Sequence, residues 1–148
     1  MDLHHLIDHA TCFRSALESV PTLERPIGLQ KFPHGSCGDA TLLLGTYLIE
    51  KGYPPFDYML GGRGNSMGED WSSHAWLELD GLTVDITSDQ FLDGPGRVIA
   101  CRGSNWHAAF AGKRQHIADY RIYDRHTVAT LGAAYRAVCS RLNRSIQV

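Results

Sequence analysis

The stretch Ser73-His74-Ala75-Trp76-Leu77-Glu78-Leu79-Asp80-Gly81-Leu82-Thr83-Val84-Asp85-Ile86-Thr87 decides how this chain is read. Apolar and polar residues alternate on both sides of Asp80-Gly81, a dipeptide that tolerates the positive φ angles of a two-residue hairpin turn. The stretch is therefore read as a β-hairpin with strands 73–79 and 82–87. With Leu79 opposite Leu82, counting outward sets Trp76 opposite Asp85 and His74 opposite Thr87. One face then carries Ala75, Leu77, Leu79, Leu82, Val84 and Ile86, and the other His74, Trp76, Glu78, Thr83, Asp85 and Thr87. His74 and Asp85 share the polar face as diagonal neighbours roughly 7 Å apart at the backbone, a gap their side chains can close. A slip of one residue in register would turn both onto the apolar face.

On the N-terminal side, apolar residues occupy almost every side of a helix from Gly38 to Lys51, and Gly52 supplies its stop. A helix apolar nearly all round is buried. Cys37 stands at its start, after a Pro-, Gly- and Ser-rich loop over 21–36. Before that loop, Leu3, Leu6, Ala10, Phe13 and Leu17 mark an amphipathic helix over 2–19. Phe56 to Leu60 read as a short strand, and Gly61-Gly62-Arg63-Gly64-Asn65 as flexible turn material opening a mobile loop over 61–72. Beyond the hairpin, Arg97 to Cys101 and Ile117 to Tyr123 offer further strands. Asp124 then caps a last helix whose Val128, Leu131, Tyr135, Val138 and Leu142 form one stripe. The expected fold is α+β, with a buried helix packed on an antiparallel sheet, in a single domain over residues 1–148.

Composition narrows the function. The 148 residues carry 14 basic and 16 acidic side chains, a net charge of -2, so no basic field exists to hold a phosphate backbone and nucleic acid is not an expected partner. No apolar run approaches the roughly 20 residues of a membrane-spanning helix. The opening Met-Asp-Leu-His-His lacks the pattern of a secretory signal, so the cytoplasm is the expected location, with export as a leaderless effector left open. Cys12, Cys37, Cys101 and Cys139 are scattered, with no Cys-x-x-Cys pair, and read as reduced thiols rather than zinc ligands.

A carboxylate bonded to one nitrogen of an imidazole fixes the tautomer and leaves the other nitrogen free to take a proton. Asp85 and His74 fit those roles. Cys37 fits the nucleophile, because free N–H groups and the helix dipole at a helix start favour a thiolate. The Cys37 N–H is one oxyanion donor, and Gln30 and His34 are candidates for the second. Trp71 and Trp76 are the candidate substrate-binding residues. Other features read as structural. His4, His5, Asp8 and His9 form a solvated helix face with no third metal ligand nearby, and Gly61 to Gly64 form a hinge rather than a phosphate loop. Trp106-His107 is an alternative base for which the sequence places no neighbouring acid. Asp39 and Asp89 are the rivals of Asp85. No cofactor and no metal is expected.

Phe32-Pro33-His34-Gly35-Ser36-Cys37-Gly38-Asp39-Ala40, Ser73-His74-Ala75-Trp76 and Val84-Asp85 resemble the core of transglutaminase-like, papain-like cysteine enzymes. That group includes bacterial peptidases, glutamine deamidases, arylamine N-acetyltransferases and leader peptidases of lasso-peptide pathways. The resemblance spans about residues 30 to 90. It implies Cys37, His74 and Asp85 as a catalytic triad in that chain order, on an α+β core. The implied activity is hydrolysis of an amide bond, in a peptide or a glutamine side chain, through an acyl-enzyme. The alternatives are acyl transfer to an amine and a catalytically silent binding module. The implied partner is a peptide or protein substrate, ahead of a small-molecule amide or thioester. The sequence indicates no oligomeric state.

Overall fold

The computed structural model describes residues 1–65 and 67–146. Helix α1, Leu3–Ser19, opens where the Asp2 carboxylate accepts the His4 N–H at 2.9 Å. Its stripe of Leu6, Ala10, Phe13 and Leu17 is buried. Helix α2, Cys37–Glu50, buries every residue from Ala40 to Leu48, as its all-round apolar sequence requires. Among the described residues five strands follow: β1 Asp57–Arg63, β2 Ser72–Leu79, β3 Leu82–Asp85, β4 Ile99–Arg102 and β5 Lys113–Ile117. A four-residue helix α3, Asn105–Ala108, lies between the last two, and α4, Arg125–Ile146, closes the chain. The Thr127 N–H binds Asp124 at the start of α4, in the capping role expected of that residue.

The sheet runs β4-β3-β2-β1-β5 and is antiparallel throughout. The hairpin has the register read from its sequence: Leu79 pairs with Leu82, Glu78 with Thr83 and Leu77 with Val84. Asp80 and Gly81 take φ angles of 48° and 79°, the positive values of a tight hairpin turn. Leu77, Leu82 and Val84 join one core with Phe13 of α1, Leu43 and Leu48 of α2, and Leu131 and Val138 of α4. Among the described residues no helix is long and apolar enough to cross a membrane.

Two expectations change. Gly61, Gly62 and Arg63 are not a hinge but the end of β1, paired with His74, Ser73 and Ser72. The glycines are there for close approach: a Cβ on Gly61 would meet the Phe110 carbonyl oxygen at 2.3 Å, and one on Gly62 the Trp71 ring at 2.2 Å. The last strand is Lys113–Ile117 rather than Ile117–Tyr123, whose Tyr120–Ile122 forms a 3-10 turn. That strand is a polar, largely exposed edge, so it lacks the alternation that marks a half-buried strand.

The segment after the hairpin is tied to α1 by a buried cation. Arg14, 3% exposed, donates to the Ile86 and Arg97 carbonyls at 3.0 and 2.8 Å and to both Asp89 oxygens at 2.7 and 2.8 Å. Asp89, a rival for the acid of the site, is thereby committed to Arg14. Arg14→Met would strand this carboxylate and two carbonyl groups. Breaking a buried pair costs 3–5 kcal/mol, and Asp89 keeps some solvent, so a loss of about 3 kcal/mol is expected in urea denaturation.

Candidate functional site

Cys37 is the first residue of α2, where backbone N–H groups have no intrahelical partner. It is half-buried. Burial pushes its thiol pKa up, but hydrogen bonding to His74, the charge of His74 and the Ala75 backbone outweigh burial, and the net shift is downward.

His74, on β2, is fully buried, and its Nε2 lies 2.6 Å from Asp85 Oδ2. Asp85 ends β3 and is 3% exposed. Its Oδ1 accepts the Thr87 N–H at 2.8 Å and the Thr87 hydroxyl at 3.2 Å. Its Oδ2 takes a second imidazole, His107 Nε2, at 2.7 Å. His107 Nδ1 in turn lies 2.6 Å from the Ser104 hydroxyl, which also accepts the His107 N–H as the cap of α3. The chain of contacts is therefore Cys37, His74, Asp85, His107 and Ser104. Burial pulls the His74 pKa down, yet its bonds to Asp85 and Cys37 prevail and raise it to about 9. Burial likewise pushes Asp85 up, and the two imidazole donors more than reverse this, holding it well below the usual carboxylate range.

His107 and Asp85 are the pairing that sequence spacing could not supply. The acid lies 22 positions away, across an irregular segment. The ligand atoms of His74, Asp85 and His107 lie within 4.8 Å of one another, which raises the question of a metal. Zinc holds nitrogen and oxygen ligands at 2.0–2.2 Å, which sets neighbouring tetrahedral ligands about 3.3 Å apart. The nitrogen–oxygen separations of 2.6 and 2.7 Å are those of N–H···O bonds instead.

Aromatic rings enclose the pair. Phe91, Trp106, Phe110 and Trp76 have centroids 5.2, 5.5, 5.5 and 5.8 Å from that of His74. Arg63 lies over Phe91, Trp106 and Phe110 at 5.3, 5.2 and 4.6 Å and binds both oxygens of Asp93. Gln90, which the sequence reading missed, bridges the two halves of the site. Its Oε1 accepts the Gly35 N–H at 3.2 Å, and its Nε2 lies 3.4 Å from His74 Nδ1. It sits on a 3-10 turn, where no periodicity marks it.

The Gln30 amide donates to the Arg25 carbonyl at 3.2 Å, and His34 is exposed with no side-chain partner among the described residues. Trp76 is 2% exposed, walls His74 and His107, and donates its indole N–H to Glu78 at 3.3 Å. Trp71 is 47% exposed and lies over Gly62. Asp39 makes no hydrogen bond among the described residues, and burial raises its carboxyl pKa. On α1, His5 pairs with Asp2, and His9 lies edge-on to Tyr47 and Tyr53.

Compared with known proteins, the chain matches no family model, no curated protein and no solved structure.

The raised His74 pKa carries a sign. The native state holds a proton that the unfolded chain releases near pH 6.5, so this contribution to stability is complete below about 6.5 and is lost as pH rises through about 9. Asp85 acts oppositely, contributing above about pH 4 and losing its contribution on acidification. The lowered Cys37 thiol opposes His74 at alkaline pH. Urea denaturation at pH 6.5 and 9 is expected to show a loss of stability in the wild type and a smaller loss in Asp85→Asn.

Proposed function

We propose that this protein is a thiol hydrolase that cleaves an amide bond, in a peptide or a glutamine side chain, with Cys37 as nucleophile, His74 as base and Asp85 as the acid that orients it. The observation that carries the reading is the buried 2.6 Å contact from Asp85 to His74 Nε2, with the other side of the ring bonded to a cysteine at a helix start. Resemblance of the residues around Cys37, His74 and Asp85 to transglutaminase-like enzymes points the same way.

The reaction follows from these groups. The thiol proton resides on His74 Nδ1, and Cys37 Sγ attacks the substrate carbonyl carbon. The negative oxygen of the tetrahedral intermediate is held by the Cys37 N–H and by the Gln90 amide, whose Nε2 is aimed at the His74 ring. His74 then gives its proton to the leaving nitrogen, the C–N bond breaks, and a thioester remains on Cys37. Water attacks it as His74 takes a proton, and the carboxylic acid leaves with the thiol restored. Asp85 stays ionised and keeps the imidazole in one orientation. Hydrolysis is preferred to transfer because water needs no dedicated acceptor site beside the acyl-enzyme. The partner is a peptide or protein chain.

Alkylation by iodoacetamide tests the pair. At pH 6, Cys37 is expected to react at least about tenfold faster than Cys12, Cys101 and Cys139, since a free thiol with a pKa of about 8.5 is almost wholly protonated there. His74→Ala should abolish the difference in peptide mass spectra. With an activated ester, an acyl adduct should form on Cys37 and discharge to water, and Gln90→Ala should slow acylation by about 100-fold. Uniform slow labelling of all four thiols would favour the silent binding module.

A further inference from the structure

Asp85 receives two imidazoles on one oxygen, and the proposed reaction uses only one of them. We propose that His107 is a positioning residue for the Cys37 and His74 pair: locked by Ser104 with its proton on Nε2, it fixes the Asp85 carboxylate and shares its charge, and so sets how firmly His74 holds its proton. This rests on the reading of Cys37 and His74 as nucleophile and base.

An ionised carboxylate only accepts, so both Nε2 atoms at 2.6 and 2.7 Å must carry hydrogen. A neutral imidazole protonated on Nε2 has a lone pair on Nδ1, and the Ser104 hydroxyl, 2.6 Å away, can donate to it. Ser104 simultaneously accepts the His107 backbone N–H at 3.4 Å, which holds the hydroxyl in place. Both nitrogens of His107 are thus occupied, Nε2 by Asp85 and Nδ1 by Ser104. His74 differs, because its second nitrogen faces Cys37 and Gln90. One imidazole is held at both nitrogens by Asp85 and Ser104, and the other turns its second nitrogen to the thiol.

Asp85 is almost wholly enclosed, so its four hydrogen-bond donors replace water. Taking away the His107 donor leaves more of the negative charge to His74. The His74 imidazolium, which faces Asp85 from β3, Cys37 from α2, His107 from α3 and Gln90 from the turn after the hairpin, should then be held more tightly. Arg63 lies beyond the rings of Phe91, Trp106 and Phe110, where its charge is paired with Asp93. A residue that merely filled space would be replaceable by any side chain of similar size.

The His74 ring can be titrated by NMR of protein labelled with 15N-histidine, in the wild type, His107→Leu, His107→Gln and Ser104→Ala. Glutamine can put an amide N–H where the Nε2–H stood, and it cannot titrate. Expected is a His74 midpoint raised by about half a pH unit or more in His107→Leu, restored close to the wild-type value in His107→Gln, and raised to a lesser degree in Ser104→Ala. Equal midpoints in the leucine and glutamine variants would overturn the proposal. Should His107→Leu fail to fold, Ser104→Ala decides: an unmoved midpoint there overturns it, and a raised one supports it. Binding of one zinc ion by the wild type with loss of both Nε2–H signals would also overturn it, since a metal would then stand where the two hydrogen bonds are drawn. Cys37 alkylation in the wild type and in His74→Ala separates the two readings. An ordinary Cys37 with a shifted midpoint would sink the thiol-enzyme reading and leave the charge sharing intact. An activated Cys37 with an unmoved midpoint would sink the role of His107 alone.

Discussion

A carboxylate removed from water must be given hydrogen-bond donors by the protein, and the enclosure of Asp85 imposes this demand on everything around it. Its four donors come from three places: two from Thr87 just beyond β3, one from His74 on β2 and one from His107 on α3. Meeting the first three needs only the hairpin in its correct register. Meeting the fourth needs residues 86–112 to cross back over the sheet and a four-residue helix to end up against it. The same anchoring brings Gln90, Phe91, Trp106 and Phe110 to the site, so an irregular stretch of chain has a defined course.

The hairpin's second face departs from the usual rule that polar strand faces meet water. His74, Trp76, Thr83 and Asp85 are all buried. The cover is made of rings, with Arg63 spread over three of them and its charge balanced by Asp93. Water is thereby kept from the hydrogen bonds of Asp85, which strengthens the electrostatic coupling of Asp85 to His74 and of His74 to Cys37. The structure carries two layers of burial on one sheet: an aliphatic layer under α1, α2 and α4, and a smaller aromatic and ionic one on the other side.

The sequence disclosed those parts of the molecule whose pattern is local. Asp80-Gly81 and the alternation around it fixed the hairpin register, and with it the meeting of His74 and Asp85. The unbroken apolar run from Ala40 marked α2 as buried and put Cys37 at its start. Parts defined by distant neighbours stayed illegible. His107 lies in a helix too short for a period, and its acid is on another element. Gln90 sits on a 3-10 turn. Gly61 and Gly62 look like turn residues until the Phe110 carbonyl and the Trp71 ring are seen pressing on them. Lys113-Arg114-Gln115-His116 is a strand without an apolar face, formed because β1 offers it an open edge.

Arg14 joins α1 to carbonyl groups 72 and 83 positions further along the chain, and His107 joins α3 to Asp85 across 22 positions. Such contacts form only after long loops have closed. During synthesis, a chain that has emerged as far as Thr87 can fold the hairpin and still lacks the cover that shuts water from Asp85. The pull that His74 exerts on the Cys37 thiol is therefore tied to completion of the fold, and opening the molecule releases it.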